Sequence, residues 1–90
     1  MNADFLTRRA WIVDAVKANP AAVVTDPALL ARLDDPACDC SFDELGFDSL
    51  ARMELSIWLQ IEVGVEIEEG DVLDHPSVNA LAAFLAGRGS

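Results

Sequence analysis

The ninety-residue sequence holds a single histidine, no tyrosine, and only six lysines and arginines against sixteen aspartates and glutamates. One histidine leaves nucleophilic catalysis without an arranged base. A catalytic serine needs a positioned acceptor for its proton, and nothing in the sequence sets His75 into a triad with an acid. The strand-turn-helix setting of a nucleophile elbow is missing as well. The shortage of cations leaves a net charge of −10, which excludes a nucleic-acid binder and points to basic partner surfaces met by electrostatically assisted encounter. There are two cysteines, Cys38 and Cys40, one residue apart. With one histidine they fall short of the four ligands of a structural zinc site, and their spacing strains a disulfide. They read as reduced loop thiols, dispensable for folding, and no metal site is expected. Long apolar runs are also missing. Asp4, Arg8, Arg9 and Asp14 break up the amino-terminal apolar residues, so neither a signal peptide nor a membrane span fits, and the cytoplasm is the expected location.

No stretch alternates at period two for long enough to build a sheet, and no internal repeat or low-complexity run occurs. What remains is helical spacing in a chain that is 52% hydrophobic, too apolar for a disordered acidic tail. Its length sets one domain over residues 1–90. The first helix is expected over about Ala3–Ala18, with Phe5, Leu6, Ile12, Val13 and Val16 on one broad face and Asn19-Pro20 ending it. Trp11 falls off that face and reads as a ring lying over its neighbours. A long connection runs from Pro20 to Phe47. Within it Asp26 is a good N-cap, Pro27 suits the first helical position, and Leu29, Leu30 and Leu33 supply an apolar side for one short helix. Ser41-Phe42-Asp43-Glu44 is a capping-box pattern that Gly46 closes. Asp48 caps the second long helix, which runs to about Val63 with Gly64 at its end. A weak helix follows over about Glu69–Leu73, and the last starts behind its cap Ser77 and carries Val78, Leu81, Phe84 and Leu85. The expected fold is all-α, a small bundle of three main helices plus one short helix.

One stretch carries more than folding information. Phe42-Asp43-Glu44-Leu45-Gly46-Phe47-Asp48-Ser49-Leu50 resembles the phosphopantetheine attachment site of acyl carrier proteins, in which Asp-Ser-Leu opens the second helix. Met53-Glu54-Leu55 and Leu59 continue the likeness. Asp74-His75-Pro76-Ser77-Val78 with Leu81-Ala82 resembles the start of the family's last helix. The likeness runs from Phe42 to Leu85, about half of the chain, whereas the first half matches only in layout. Asp-Ser-Leu alone is a weak motif; Leu-Gly before it and the His-Pro-Ser helix start after it give it force. The physical setting agrees, because Ser49 falls in the first turn of a predicted helix, where free amides and the positive dipole end favour a phosphate.

The resemblance implies that 4'-phosphopantetheine is attached covalently to Ser49 by a phosphopantetheinyl transferase using coenzyme A and magnesium, with Asp48 supporting the transferase's metal. The chain is then a substrate of enzymes and not itself an enzyme. The thioester-bearing thiol belongs to the arm and not to Cys38 or Cys40.

The helix after Ser49 has two apolar sides. Leu55, Leu59 and Val63 recur every four residues and should face the core, while Leu50, Met53, Ile57 and Ile61 form a second stripe rotated away from it. In a domain with few elements to cover it, that stripe reads as a partner surface with Glu54, against the alternative that the long connection covers Ile57 or Ile61. Many bacterial fatty-acid carriers are strongly acidic there; Glu54 and Glu62 remain, but Arg52, Gln60 and Ile61 dilute the charge. Phe47 stands where peptide carriers usually have glycine, so the chain looks more like a polyketide carrier. The expectation is a free-standing, monomeric carrier served by an acyltransferase, ligase or ketosynthase, with no nucleic acid or membrane partner. Its rivals are an aminoacyl or peptidyl carrier and, from another class, an unmodified helical docking module. A hydrolase is disfavoured by the missing base.

Overall fold

A computed structural model describes residues 2–88. Five helices follow one another: α1 Ala3–Lys17, α2 Pro27–Asp34, α3 Ser49–Trp58, α4 Glu69–Asp74 and α5 Val78–Gly87. A π-helical turn, Leu59–Val63, prolongs α3. Among the described residues there is no strand, only an isolated antiparallel bridge between Ser41 and Ser77. The all-α bundle expected from the sequence is the fold observed, with three longer helices and two short ones.

Each helix starts where a side chain can take up a free amide. Asn2, Asp26, Asp48 and Ser77 cap α1, α2, α3 and α5 by accepting from the amides of Phe5, Ala28, Ala51 and Ala80. Such a cap stabilises a helix by about 1 kcal/mol. At α4 the Asp71 carboxylate accepts from the Glu68 amide at 3.0 Å. Gly64 ends the α3 extension at φ 75°, a left-handed conformation that glycine adopts without a Cβ penalty.

α1 packs chiefly on α5, and α3 lies against α1 and α4. The core they enclose takes Ile12, Val13 and Val16 from α1, Ala51 and Leu55 from α3, Leu59 from its π-helical extension, Val72 from α4, and Val78, Leu81 and Leu85 from α5. Leu6, expected on the buried face of α1, is exposed, whereas Trp11 is half-buried with the Arg8 guanidinium 5.1 Å from its ring centroid. The connection contributes Leu33, Cys40, Phe42, Leu45 and Phe47 to the same core. Cys40 is the free loop thiol expected, but it is also part of the core. It is completely buried, and burial pushes its thiol pKa up, which keeps it protonated and unreactive. Cys38 is half-buried, and neither cysteine is in a disulfide. No helix among the described residues is long and apolar enough to cross a membrane.

Candidate functional site

Ser49 owes its position to the turn before it. Ser41 and Glu44 close the capping box the sequence announces: Glu44 N–H donates to Ser41 Oγ (3.0 Å), and Ser41 N–H donates to the Glu44 carboxylate (2.9 Å). The chain then reverses through Gly46 at φ 79°, where a side chain would be strained whatever space surrounds it. Phe47 N–H returns to the Phe42 carbonyl at 2.9 Å, and the two rings stack with centroids 5.7 Å apart inside the core. Phe47 is thus an anchor, and the residues after it are held at the surface.

Asp48 and Ser49 are both exposed. The extended backbone of Asp48 (φ −93°, ψ −169°) aims its Oδ1 at the Ala51 amide, 2.9 Å away. Ser49 is the first residue of α3, and no hydrogen bond ties its hydroxyl to another side chain among the described residues. A free hydroxyl at the positive end of a helix suits a phosphate ester: the first-turn amides and the dipole stabilise the anion, and the exposed position admits a modifying enzyme. A phosphodiester arm on Ser49 therefore fits the residues present.

Two ion pairs brace this corner. Arg32 forks onto Glu44 (2.9 and 3.2 Å) and holds its carboxyl down at about 2, against an ordinary 4.5. Arg52 of α3 reaches back to Asp43 at 2.8 Å.

The outer side of α3 carries the second apolar stripe. Leu55 and Leu59 are fully buried, whereas Leu50, Met53 and Ile57 are exposed by 50%, 40% and 38%, and Ile61 by 74%. Glu54 is half-buried. With Ile57, Trp58, Ile61 and Glu62 it lines a cleft of about 230 Å³ whose other wall is Ala15, Ala18, Asn19 and Pro20. The start of the long connection therefore borders Ile57 and Ile61 without covering them. His75 is occupied elsewhere: its Nδ1 lies 2.9 Å from the Asp71 carbonyl and its ring stacks on Phe84 at 4.1 Å. Among the described residues no group of three or more His, Cys, Asp and Glu side chains is placed to hold a metal ion.

Two residues near this site escaped the sequence reading. Arg9, read only as a charge that breaks an apolar run, is 4% exposed and binds the end of α2, the connection and α5. Its register was the available signal, since it sits four residues from both Phe5 and Val13, within the buried face. Asn19, read only as the residue before a proline, is buried. It donates to the Ala51 carbonyl of α3 (2.8 Å) and accepts from Ala21 N–H (2.9 Å).

Comparison with known proteins converges on the same stretch. Residues 28–85 match the family described as "Phosphopantetheine attachment site". The chain is 38% identical over 88% of its length to the highly reducing polyketide synthase NEC1 of Pyricularia oryzae, of which it covers 3%. It is 39% identical over 90% of its length to the spectinabilin polyketide synthase system protein NorA' of Streptomyces orinoci, covering 2% of it. Against the pikromycin polyketide synthase component PikAIII of Streptomyces venezuelae the identity is 37% over 87% of the chain and 5% of the relative. The chain thus spans a small fraction of the length of the curated relatives it matches. No solved structure matches it.

Proposed function

The chain belongs to the phosphopantetheine attachment site family of acyl carriers, and from that premise we propose that Ser49 receives the arm and that the loaded domain passes acyl intermediates between enzymes of a polyketide-type pathway. The observation that carries this reading is the exposed Ser49 hydroxyl at the first position of α3, directly behind its cap and inside the matched span. When bound, the arm supplies a terminal thiol that holds acyl groups as thioesters.

The chain's own residues do the rest. Ser49 Oγ is the nucleophile: it forms a bond to the pantetheine-bearing phosphorus of the coenzyme A pyrophosphate as the P–O bond to the other phosphate breaks and adenosine 3',5'-bisphosphate leaves. Its proton passes to the transferase, since no side chain of this domain is hydrogen-bonded to it among the described residues. Asp48 fixes the helix start through Oδ1, and its second oxygen is available to the transferase's magnesium. Gly46 and the stacked pair Phe42 and Phe47 keep the serine outside the core. Leu50, Met53, Ile57 and Ile61, flanked by Glu54 and Glu62, offer partner enzymes an apolar strip with two anionic contacts.

The polyketide assignment is supported by the synthases that share the sequence and by Phe47, whose buried ring fills a place that glycine would leave empty. In this reading residues 1–90 work as one monomeric carrier domain in the cytoplasm, without catalysis of their own. The net charge of −10 opposes self-association, and the unpaired thiols suit a reducing compartment. The partners are a phosphopantetheinyl transferase and then an acyltransferase, ligase or ketosynthase.

Loading tests the cargo class. After arm transfer the domain should accept a malonyl group from an acyltransferase and stay empty with an adenylating amino-acid ligase. The opposite pattern would make it an aminoacyl carrier.

A further inference from the structure

Arg9 is a buried cation with no carboxylate against it among the described residues. Desolvating such a charge is costly unless its donors are all answered. Here they are answered by neutral oxygens only: Nε donates to Asn79 Oδ1 (2.7 Å), Nη1 to the Leu33 carbonyl (2.7 Å), and Nη2 to the carbonyls of Asp35 (3.0 Å), Cys38 (3.0 Å) and Arg32 (3.2 Å). Arg32 and Leu33 lie in the last turn of α2, where carbonyls lack intrahelical donors and the dipole is negative. The guanidinium fork therefore caps α2 while fastening the segment that follows it, Asp35 to Cys38, to α1 and α5. A lysine could supply the charge but not the planar fan of donors.

The chain of bonds continues toward Ser49. Asn79 N–H and Cys40 N–H both donate to Asp39 Oδ1, at 2.9 and 2.8 Å. Arg32, whose carbonyl Arg9 holds, forks its side chain onto Glu44, and Glu44 closes the box with Ser41. Inside the box, next to Ser41, the Phe42 carbonyl accepts from the Phe47 amide, and Asp48-Ser49 follows. From the fork of Arg9 to the serine, each step is a hydrogen bond or a direct chain neighbour.

We propose that Arg9 and Arg32 form a clasp that holds the connection in the shape presenting Ser49, which makes Arg9 a positioning residue for arm transfer. The inference rests on the reading of Ser49 as the attachment point. A transferase that must meet the turn and the helix start together binds only the clasped form, so loosening the clasp lowers the binding-competent fraction and raises the apparent KM in proportion.

Hydrogen exchange and transfer kinetics on the full chain test this with Arg9→Lys and Arg32→Gln, the second altering a half-buried side chain that the core does not need. The expected result is exchange at least about tenfold faster over residues 35–47, the scale of losing one charged hydrogen bond, with the α3 amides near Leu55 and Leu59 still protected. KM for the carrier, measured with a phosphopantetheinyl transferase and coenzyme A, should rise several-fold while kcat stays within about twofold. Protection lost evenly through α1, α3 and α5 in Arg32→Gln, or a loosened connection with KM unchanged, would overturn the positioning role. A parent chain that takes no arm would instead overturn the premise about Ser49, whereas the exchange pattern alone still decides whether the clasp holds the connection.

Discussion

Helix α3 and its π-helical extension bury Ala51, Leu55 and Leu59 completely along one side, whereas the connection between Asn19 and Phe47 sends in isolated side chains, each led inward by a polar tie. On the helix, burial follows from geometry: residues four apart share a face, so one regular backbone carries several apolar groups to the core. In the connection no such repeat operates. Leu33 lies in the turn that Arg9 caps, the Cys40 carbonyl accepts from Val78 N–H, and Phe42 takes position by donating its N–H to the Pro76 carbonyl. The helix is held by contacts that add up, the connection by a few bonds that depend on one another. Cooperative packing tolerates small errors, while a network of single ties fails where one tie is cut.

The largest effect should come from the helical side. Leu59→Ala removes a fully buried leucine and should lower stability by about 2–5 kcal/mol, read as a sharp drop in melting temperature. A shift of a degree or two would mean that α3 is not the packed side of the comparison. Cys40→Ala comes next. Deleting one buried atom from the core should cost about 1 kcal/mol, while Cys38→Ala stays near the parent. Equal melting temperatures for the two variants would show that Cys40 is not built into the core as described.

Acid separates the two regions further. The Glu44 carboxyl is held at about 2 in the folded chain against an ordinary 4.5, chiefly by its hydrogen bonds from Arg32. A lowered folded pKa means that the stabilisation is fully present above about pH 4.5 and is lost as pH falls toward 2. The pair is exposed, so the effect is small. Acid titration of Glu44→Gln should lack the part of the stability loss that the parent shows in that window; superimposable titrations would dismiss the pair as a tie of the connection.

The smallest effect on stability belongs to the outer stripe. Ile57→Glu and Ile61→Glu should stay within about half a kcal/mol of the parent in stability yet be acylated more slowly by a cognate enzyme, because a new charge at an apolar contact is poorly solvated there. If either variant unfolds, the stripe belongs to the core and the two sides of α3 are not distinct.

The same difference explains what could be read from the sequence. Caps and helix ends announce themselves locally: Asp26-Pro27, Asp48-Ser49 and Ser77 each start a helix because one side chain answers an amide three residues or fewer away. The split of α3 and its extension into Leu55 and Leu59 inside and Leu50, Met53, Ile57 and Ile61 outside follows from spacing alone. The candidate site was legible for this reason, since Gly46, Asp48 and Ser49 act within one turn. The clasp was not. Arg9 and Asn79 are seventy residues apart, and a buried arginine answered by carbonyls leaves no compositional trace. The π turn at Leu59–Val63 was also hidden. Its apolar spacing resembles that of a plain helix, and its register depends on the Leu59 carbonyl accepting from both Gly64 and Val65 amides. Cys40 is a free thiol in the connection, as expected, but its burial is not legible, because its neighbours are polar in sequence and apolar only in space.

The most direct test of the central claim is the intact mass of the purified chain after incubation with a phosphopantetheinyl transferase, magnesium and coenzyme A. The parent should gain one phosphopantetheinyl group, and Ser49→Ala, with its helical circular dichroism unchanged, should gain none. Modification of Ser49→Ala, or a parent mass that does not change, would contradict the assignment of Ser49 as the attachment point.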